Sequence, residues 1–305
     1  MKDLQNRLPK VPTECVDVIL DTDAYNEVDD QFAIALLLKC PERARILGLC
    51  AAPFLNGRST SAADGMEKSY HEIIKLLRLA GREDLIEHTY RGSPAYLLDE
   101  KTPVKSDSAR LMAETAKQYS PEKPLYIVAI GAITNVASAF LLEPRAMAEN
   151  TVVVWLGGHS KDWVNTKEFN MRQDVAAARV VFDSGVPLVL LPCAGVVSEF
   201  RTTKPELEYW LKGKNPLADY LAAQAIAEAE SYASGKPWSR CIWDVTAVAW
   251  LLNNEDRYMK SYAIPRPIPE YDGSWAFDDT RPPMVYVYQI KRDALFEKLF
   301  FSLTE

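Results

Sequence analysis

Short apolar runs recur along this chain, and between them apolar positions return at helical spacing. Val16–Leu20, Arg45–Cys50, Leu125–Ile130, Thr151–Leu156 and Pro187–Leu191 are each only five or six residues long. Runs of that length, bounded by turn residues, read as buried strands. Asp30–Lys39, Ala62–Ala80, Asn135–Leu142 and Asp174–Ser184 read as helices. In the second of these Met66, Tyr70, Ile73, Ile74 and Leu77 share one face. Strands alternating with helices predict an α/β fold, a mostly parallel Rossmann-like sheet covered by helices on both faces.

The texture changes toward the carboxyl end. Leu217–Ala233 is alanine-rich and Asp244–Leu252 continues the helical pattern, so this portion is expected to be helical. Pro265–Asp272 holds three prolines and reads as a loop. Met284–Ile290 reads as a late strand, followed by a short terminal helix. No repeat or linker divides the sequence, which predicts one α/β domain over 1–305 with a helical carboxyl-terminal portion.

Composition narrows the partners. The 305 residues carry 35 basic and 42 acidic side chains, a formal net charge of −7, with no basic stripe to attract phosphates. Nucleic acid is therefore not an expected partner. Nowhere do about 18 apolar residues follow one another, so no membrane span is expected. The five cysteines are scattered, odd in number and never form a C-x-x-C pair. They read as reduced core thiols, and the amino-terminal M-K-D-L-Q-N-R-L-P-K-V-P has no apolar leader core, which together predict a cytoplasmic protein.

Open α/β sheets bind ligands beyond the carboxyl ends of their strands. After the first strand comes D-T-D-A-Y-N-E-V-D-D at 21–30, five acids in ten positions. Carboxylates so crowded repel unless they are solvated, partly protonated or neutralised by a cation. All-oxygen donors without nearby His or Cys favour a hard ion such as calcium or magnesium. Glu27 and Asp29 could cap the following helix, but capping does not explain Asp21, Asp23, Asp29 and Asp30 together. The alternating ligands and central glycine of an EF-hand are missing. After the other strands come Asn56, G-A-I-T-N at 131–135, G-G-H at 157–159 and E-F-N at 168–170. Each alone could be a helix cap or an ordinary loop polar, and Asp244 could be a first-turn acid.

Taken in order over about residues 16–252, these motifs resemble the calcium-dependent inosine–uridine-type nucleoside hydrolase family. That family opens on D-x-D-P-G-x-D-D and later carries an Asn after the second strand, G-x-x-T-N, G-G, E-F-N and a helix beginning H-D. The resemblance implies Ca2+ held by the carboxylates of Asp23, Asp30 and Asp244 and the backbone carbonyl of Thr134. It implies Asp23 as the base that takes a proton from a calcium-bound water. It implies Asp29, Asn56, Glu168 and Asn170 on the ribose hydroxyls, with Asp21 as a supporting acid behind them. The implied reaction is hydrolysis of the N-glycosidic bond of a ribonucleoside or related riboside through an oxocarbenium-like transition state, by a homo-oligomer, dimer or tetramer.

Two departures from the family pattern shape the expectation. Five residues separate Asp23 from Asp29 instead of three, and Pro-Gly is absent. Trp243 stands where many members carry a His thought to protonate the leaving base, and an indole cannot supply that proton. His159 and Tyr25 are the candidates for contact with the leaving group, with Asp162 or Asn165 standing in for an Asn found between G-G and E-F-N. Trp243, Trp163, Trp275 and Phe277 could stack on an aglycone. Two other readings compete: a sugar-binding protein of the same fold with little turnover, and a haloacid-dehalogenase-like phosphatase with Asp21 as nucleophile.

Overall fold

The computed structural model describes residues 7–305. Its centre is an eight-stranded sheet of β1 (Val16–Thr22), β2 (Ala44–Ala51), β3 (Thr89–Arg91), β4 (Leu125–Ala129), β5 (Thr151–Leu156), β6 (Leu188–Leu191), β7 (Met259–Pro265) and β8 (Pro283–Ile290). The strands lie in the order β3-β2-β1-β4-β5-β6-β8-β7. Neighbours run parallel except at the edge, where β7 is antiparallel to β8.

Every residue of β4, β5 and β6 is buried. That follows from side chains alternating between two covered faces. Val18, Leu20, Val128 and Val154 point into one core with α1 (Val28–Leu38), α2 (Ala62–Leu79), α7 (Pro216–Ala233), α8 (Val245–Trp250) and α9 (Arg292–Thr304). Ile19, Ile127, Val153 and Trp155 point into the other, with α3 (Asp107–Ala116), α4 (Thr134–Leu142) and α6 (Val175–Asp183). Between β5 and α6 lies the short helix α5 (Phe169–Gln173).

From β1 the chain moves outward through β2 to β3, then returns to the other side of β1 with β4. The strand order reverses there, which opens a crevice at the carboxyl ends of β1 and β4.

The expected strands and helices appear, with shifts at their ends. The first helix starts at Val28 rather than Asp30, and Asp174 and Asp244 sit at the N-cap positions of α6 and α8. The proline-rich stretch is not all loop: it contains the end of β7 and the pair Ile268–Pro269, which joins Trp275–Ala276. Prolines are tolerated because β7 is an edge strand whose outer backbone needs no ladder partner. The terminal helix is longer than expected, at 13 residues. All five cysteines are free. Residues 1–6, part of the amino-terminal stretch without an apolar leader core, lie outside the described residues. No helix among the described residues is long and apolar enough to cross a membrane.

Candidate active site

A cavity of about 270 Å3 occupies the crevice. Six acids line it: Asp23, Glu27, Asp29, Asp30, Glu168 and Asp244. That volume is near the lower end for small-molecule sites, about 300–1,000 Å3. Asp23 leaves the end of β1, Asp29 and Asp30 enter on the first turn of α1, and Asp244 arrives at the start of α8. Carboxylate oxygens of Asp29, Asp30 and Asp244 lie within 4.8 Å of one another. Asp30 accepts from Thr22 Oγ1 at 2.5 Å, and its charge bears on Asp23.

The electrostatics are those of a site short of positive charge. Burial raises Asp23, Asp29 and Asp244 well above the usual carboxylate range, and neighbouring carboxylates push each further. Asp30 is raised to about 7, chiefly by burial, with the bond from Thr22 working against it. Both carboxylate oxygens of Asp23 are buried and receive no hydrogen bond. An orphaned buried acid is costly unless something binds it. Oxygen donors gathered around such an acid fit a hard cation. A Cβ on Gly131, after β4, would meet Asp23 Oδ1 at 3.0 Å, so only glycine lets the two strand ends approach this closely.

Glu168 and Asn170 form the opposite wall. The Glu168 carboxylate accepts backbone N–H bonds from Gly158, Asn170 and Met171 at 2.8–2.9 Å, yet burial still raises it to about 7. Gly158 adopts φ +69°, a left-handed conformation that presents its N–H to this carboxylate. Asn170 Nδ2 donates to the carbonyls of Ile130 and Leu156, both at 3.0 Å, pinning the ends of β4 and β5 together.

The remaining expected residues fall into two groups. His159 and Trp243 line the cavity. His159 Nδ1 accepts from the Ala194 N–H, and burial lowers its pKa, which keeps the ring neutral. Trp243 Nε1 is buried without a partner. Thr134, Asn56 and Tyr25 are not among the residues that line the cavity. The Thr134 hydroxyl donates to Asp174 at 2.7 Å, and the main chain that reaches the cavity from β4 is Ile130. Asn56 spends its amide on Asn26 Oδ1 at 2.6 Å, and it is Asn26 that faces the cavity. Tyr25 is 40% exposed and its N–H donates to Ser69.

Asp21 is fully buried behind the cavity, held by Asn135 Nδ2 at 2.8 Å and raised to about 7 by burial. Asp21 does not line the cavity, which removes the phosphatase reading, whose nucleophile must face the ligand. Asp162 pairs with Lys161, and Asn165 accepts from the Lys167 N–H; neither lines the cavity. Trp163, Trp275 and Phe277 do not line it either.

Arg240 is the residue that sequence reasoning missed. It is buried, donates to Glu27 at 2.5 Å, and approaches Glu228 at 3.3 Å and Asp29 at 3.8 Å. Its guanidinium lies 5.0 Å from the Trp243 ring centroid. Burial disfavours its charge, but Asp29, Glu27 and Glu228 outweigh that and hold it above its usual range. Glu27 does stand at the N-cap position of α1, but its side chain makes no capping bond and faces Arg240 instead. Only the crowding of acids in the preceding loop hints that a buried cation is needed nearby.

The family profile of the inosine-uridine preferring nucleoside hydrolases matches residues 18–269. Among curated relatives, a pyrimidine-specific ribonucleoside hydrolase of Salmonella arizonae is 27% identical over 263 residues, covering 78% of this chain and 80% of its own length. One from Escherichia coli is 27% identical over 265 residues, with the same coverage. Among solved structures, a plant nucleoside hydrolase aligns over 96% of this chain and 99% of its own, with a TM-score of 0.74 at 20% identity. A purine-preferring ribonucleoside hydrolase from Gardnerella vaginalis aligns over 94% and 98%, with a TM-score of 0.74 at 18% identity.

Proposed function

The chain belongs to the inosine-uridine preferring nucleoside hydrolase family, enzymes that act on N-glycosyl compounds, and on that premise we propose a calcium-dependent hydrolysis of ribonucleosides or related ribosides. The observation that carries this reading is Asp23: two buried carboxylate oxygens without a donor, beside three further acids whose oxygens converge. Asp23, Asp30 and Asp244 would hold the ion, with main chain from the end of β4, where Ile130 reaches the cavity. When bound, calcium neutralises the acids and polarises both water and the sugar diol.

The chain's own groups then have distinct tasks. Asp23 accepts the proton of the attacking water. Asp29 takes hydrogen bonds from the sugar diol, and its neighbour Arg240 holds it in place. Glu168, fixed by three backbone N–H groups, and Asn170, through the Oδ1 it has not spent on the main chain, orient the rest of the ring. Such contacts tighten as the ring flattens toward the oxocarbenium-like state. At the leaving-group side, the free Trp243 N–H donates a hydrogen bond but no proton, and neutral His159 is the second donor. This favours aglycones that depart without full protonation. The curated relatives named above are pyrimidine-specific, which makes uridine and cytidine the first nucleosides to try.

The test compares ribose release from p-nitrophenyl β-riboside, uridine and inosine, with calcium and with chelator. Nitrophenolate leaves without protonation, so it reports bond cleavage alone. Calcium-dependent cleavage of the nitrophenyl riboside is expected, faster than that of either nucleoside. No cleavage of any of the three, with ribose still bound, would establish the sugar-binding reading instead.

A further inference from the structure

Two cations stand on the cavity wall among the acids, and nothing in the proposed chemistry uses them. Lys167 and Arg172 flank Glu168–Asn170, and both line the cavity. Neither has a carboxylate within ion-pair distance among the described residues, whereas many arginines elsewhere in the molecule do. Arg172 is felt by Glu168 and Lys167 by Asp272, both from beyond 4 Å. Both side chains are exposed at the edge of the cavity. The Lys167 stem lies across Gly273, where a Cβ would collide with it, and a 2.8 Å bond from the Thr166 N–H to the Gly273 carbonyl ties the two loops together. The Arg172 guanidinium lies 5.3 Å from the centroid of Phe169, itself a cavity residue.

Their place in the fold says what they face. Asp23 follows β1, whereas Lys167 and Arg172 follow β5, two strands away, about 10 Å at ordinary strand spacing. They are not counter-ions for the acid cluster, since Arg240 already serves Glu27 and Asp29. A ribose whose diol meets Asp29 and whose C1 meets the attacking water has one exocyclic position left, the primary carbon C5, directed away from Asp23, Asp29, Asp30 and Asp244 and toward the Glu168–Asn170 wall. We propose that Lys167 and Arg172 receive a phosphate on that carbon, so that the substrate class is a 5′-phosphorylated riboside. The inference rests on the riboside reading above. A lysine and an arginine lining the same cavity can give a phosphate both a point charge and a planar pair of donors.

Calorimetry on the calcium-loaded protein with ribose 5-phosphate, ribose and inorganic phosphate tests this without requiring turnover. Ribose 5-phosphate is expected to bind about tenfold or more tighter than ribose, the scale of hydrogen bonds to charged groups. The double substitution Lys167→Ala with Arg172→Ala should abolish that difference, and Lys167→Arg should retain it. Equal affinity for the two sugars, a preference that survives the double substitution, or inorganic phosphate binding as tightly as the phosphosugar would each overturn the proposal. Hydrolysis of nitrophenyl riboside with no phosphate preference would remove this inference and leave the hydrolase reading. A phosphate preference with no riboside cleaved would do the reverse.

Discussion

The two ends of β1 carry acids treated in opposite ways. At the amino end Asp17 is bound by Arg45 at 2.5 and 2.7 Å and by the Tyr119 hydroxyl at 2.6 Å. Burial would raise this carboxyl, but those bonds outweigh it and hold it below the usual range. Just past the carboxyl end, six residues on, Asp23 is more deeply buried, has no donor to its carboxylate, and is raised by burial and by Asp30 and Asp29. One strand thus carries a carboxylate satisfied by the fold and, just past its end, another that the fold leaves without a donor. Strain of the second kind persists where function requires it.

Substitution at each end should separate the two roles. Asp23→Asn should lower kcat on nitrophenyl riboside by about 10^2–10^4-fold, the usual loss for a base in place. In chelator the same protein should melt higher than the parent, because a repelling buried charge has gone. A lower melting point would mean that Asp23 is held by the fold like Asp17. Next in size, Arg240→Met should destabilise by about 3–5 kcal/mol, since removing one member of a buried ion cluster strands the others. Urea unfolding with an unchanged midpoint would show that Glu27, Asp29 and Glu228 do not depend on it.

Asp17→Asn should cost about 1–3 kcal/mol of stability through lost charged hydrogen bonds and leave kcat within about twofold of the parent. Loss of activity comparable to that of Asp23→Asn would erase the distinction between the two ends.

The same contrast has a pH signature. Asp21, Asp30 and Glu168 sit at about 7 in the folded protein, against about 4 when unfolded. Raised acids bind more protons folded than unfolded, so their contribution is intact below about pH 4 and is lost as pH rises toward 7. Chelated protein should therefore melt lower at pH 7.5 than at pH 5.5. Added calcium should raise the melting point more at the higher pH, where it competes with fewer protons. A calcium shift that is the same at both pH values would argue against ligation by these acids. The smallest expected change is Asn56→Ala, about 0.5 kcal/mol or less in ribose binding, because Asn26 and not Asn56 faces the cavity.

The sheet was legible because its strands are short and apolar on both faces, a pattern that leaves little choice of fold. The acid end of β1 was legible because like charges crowd there in sequence. Local sequence does not say which polar group points where. The Thr134 hydroxyl is spent on Asp174, and the Asn56 amide is spent on Asn26, the residue of that pair that lines the cavity. Arg240 was invisible because its three carboxylates come from residues 27, 29 and 228, which only the folded chain brings together. The phosphatase reading failed because β1 ends at Thr22: Asp21 is still inside the strand and held by Asn135, whereas Asp23 lies just past the strand end and lines the cavity.

The central claim is that the carboxyl end of β1 is left short of positive charge in order to hold a cation. Calorimetric titration of calcium into chelated protein at pH 7, in two buffers of different ionisation heat, measures binding and proton release together. One site, with protons released as calcium enters and with binding lost in Asp23→Asn, is the predicted result. Absence of binding at millimolar calcium, or binding that Asp23→Asn leaves unchanged, would contradict it.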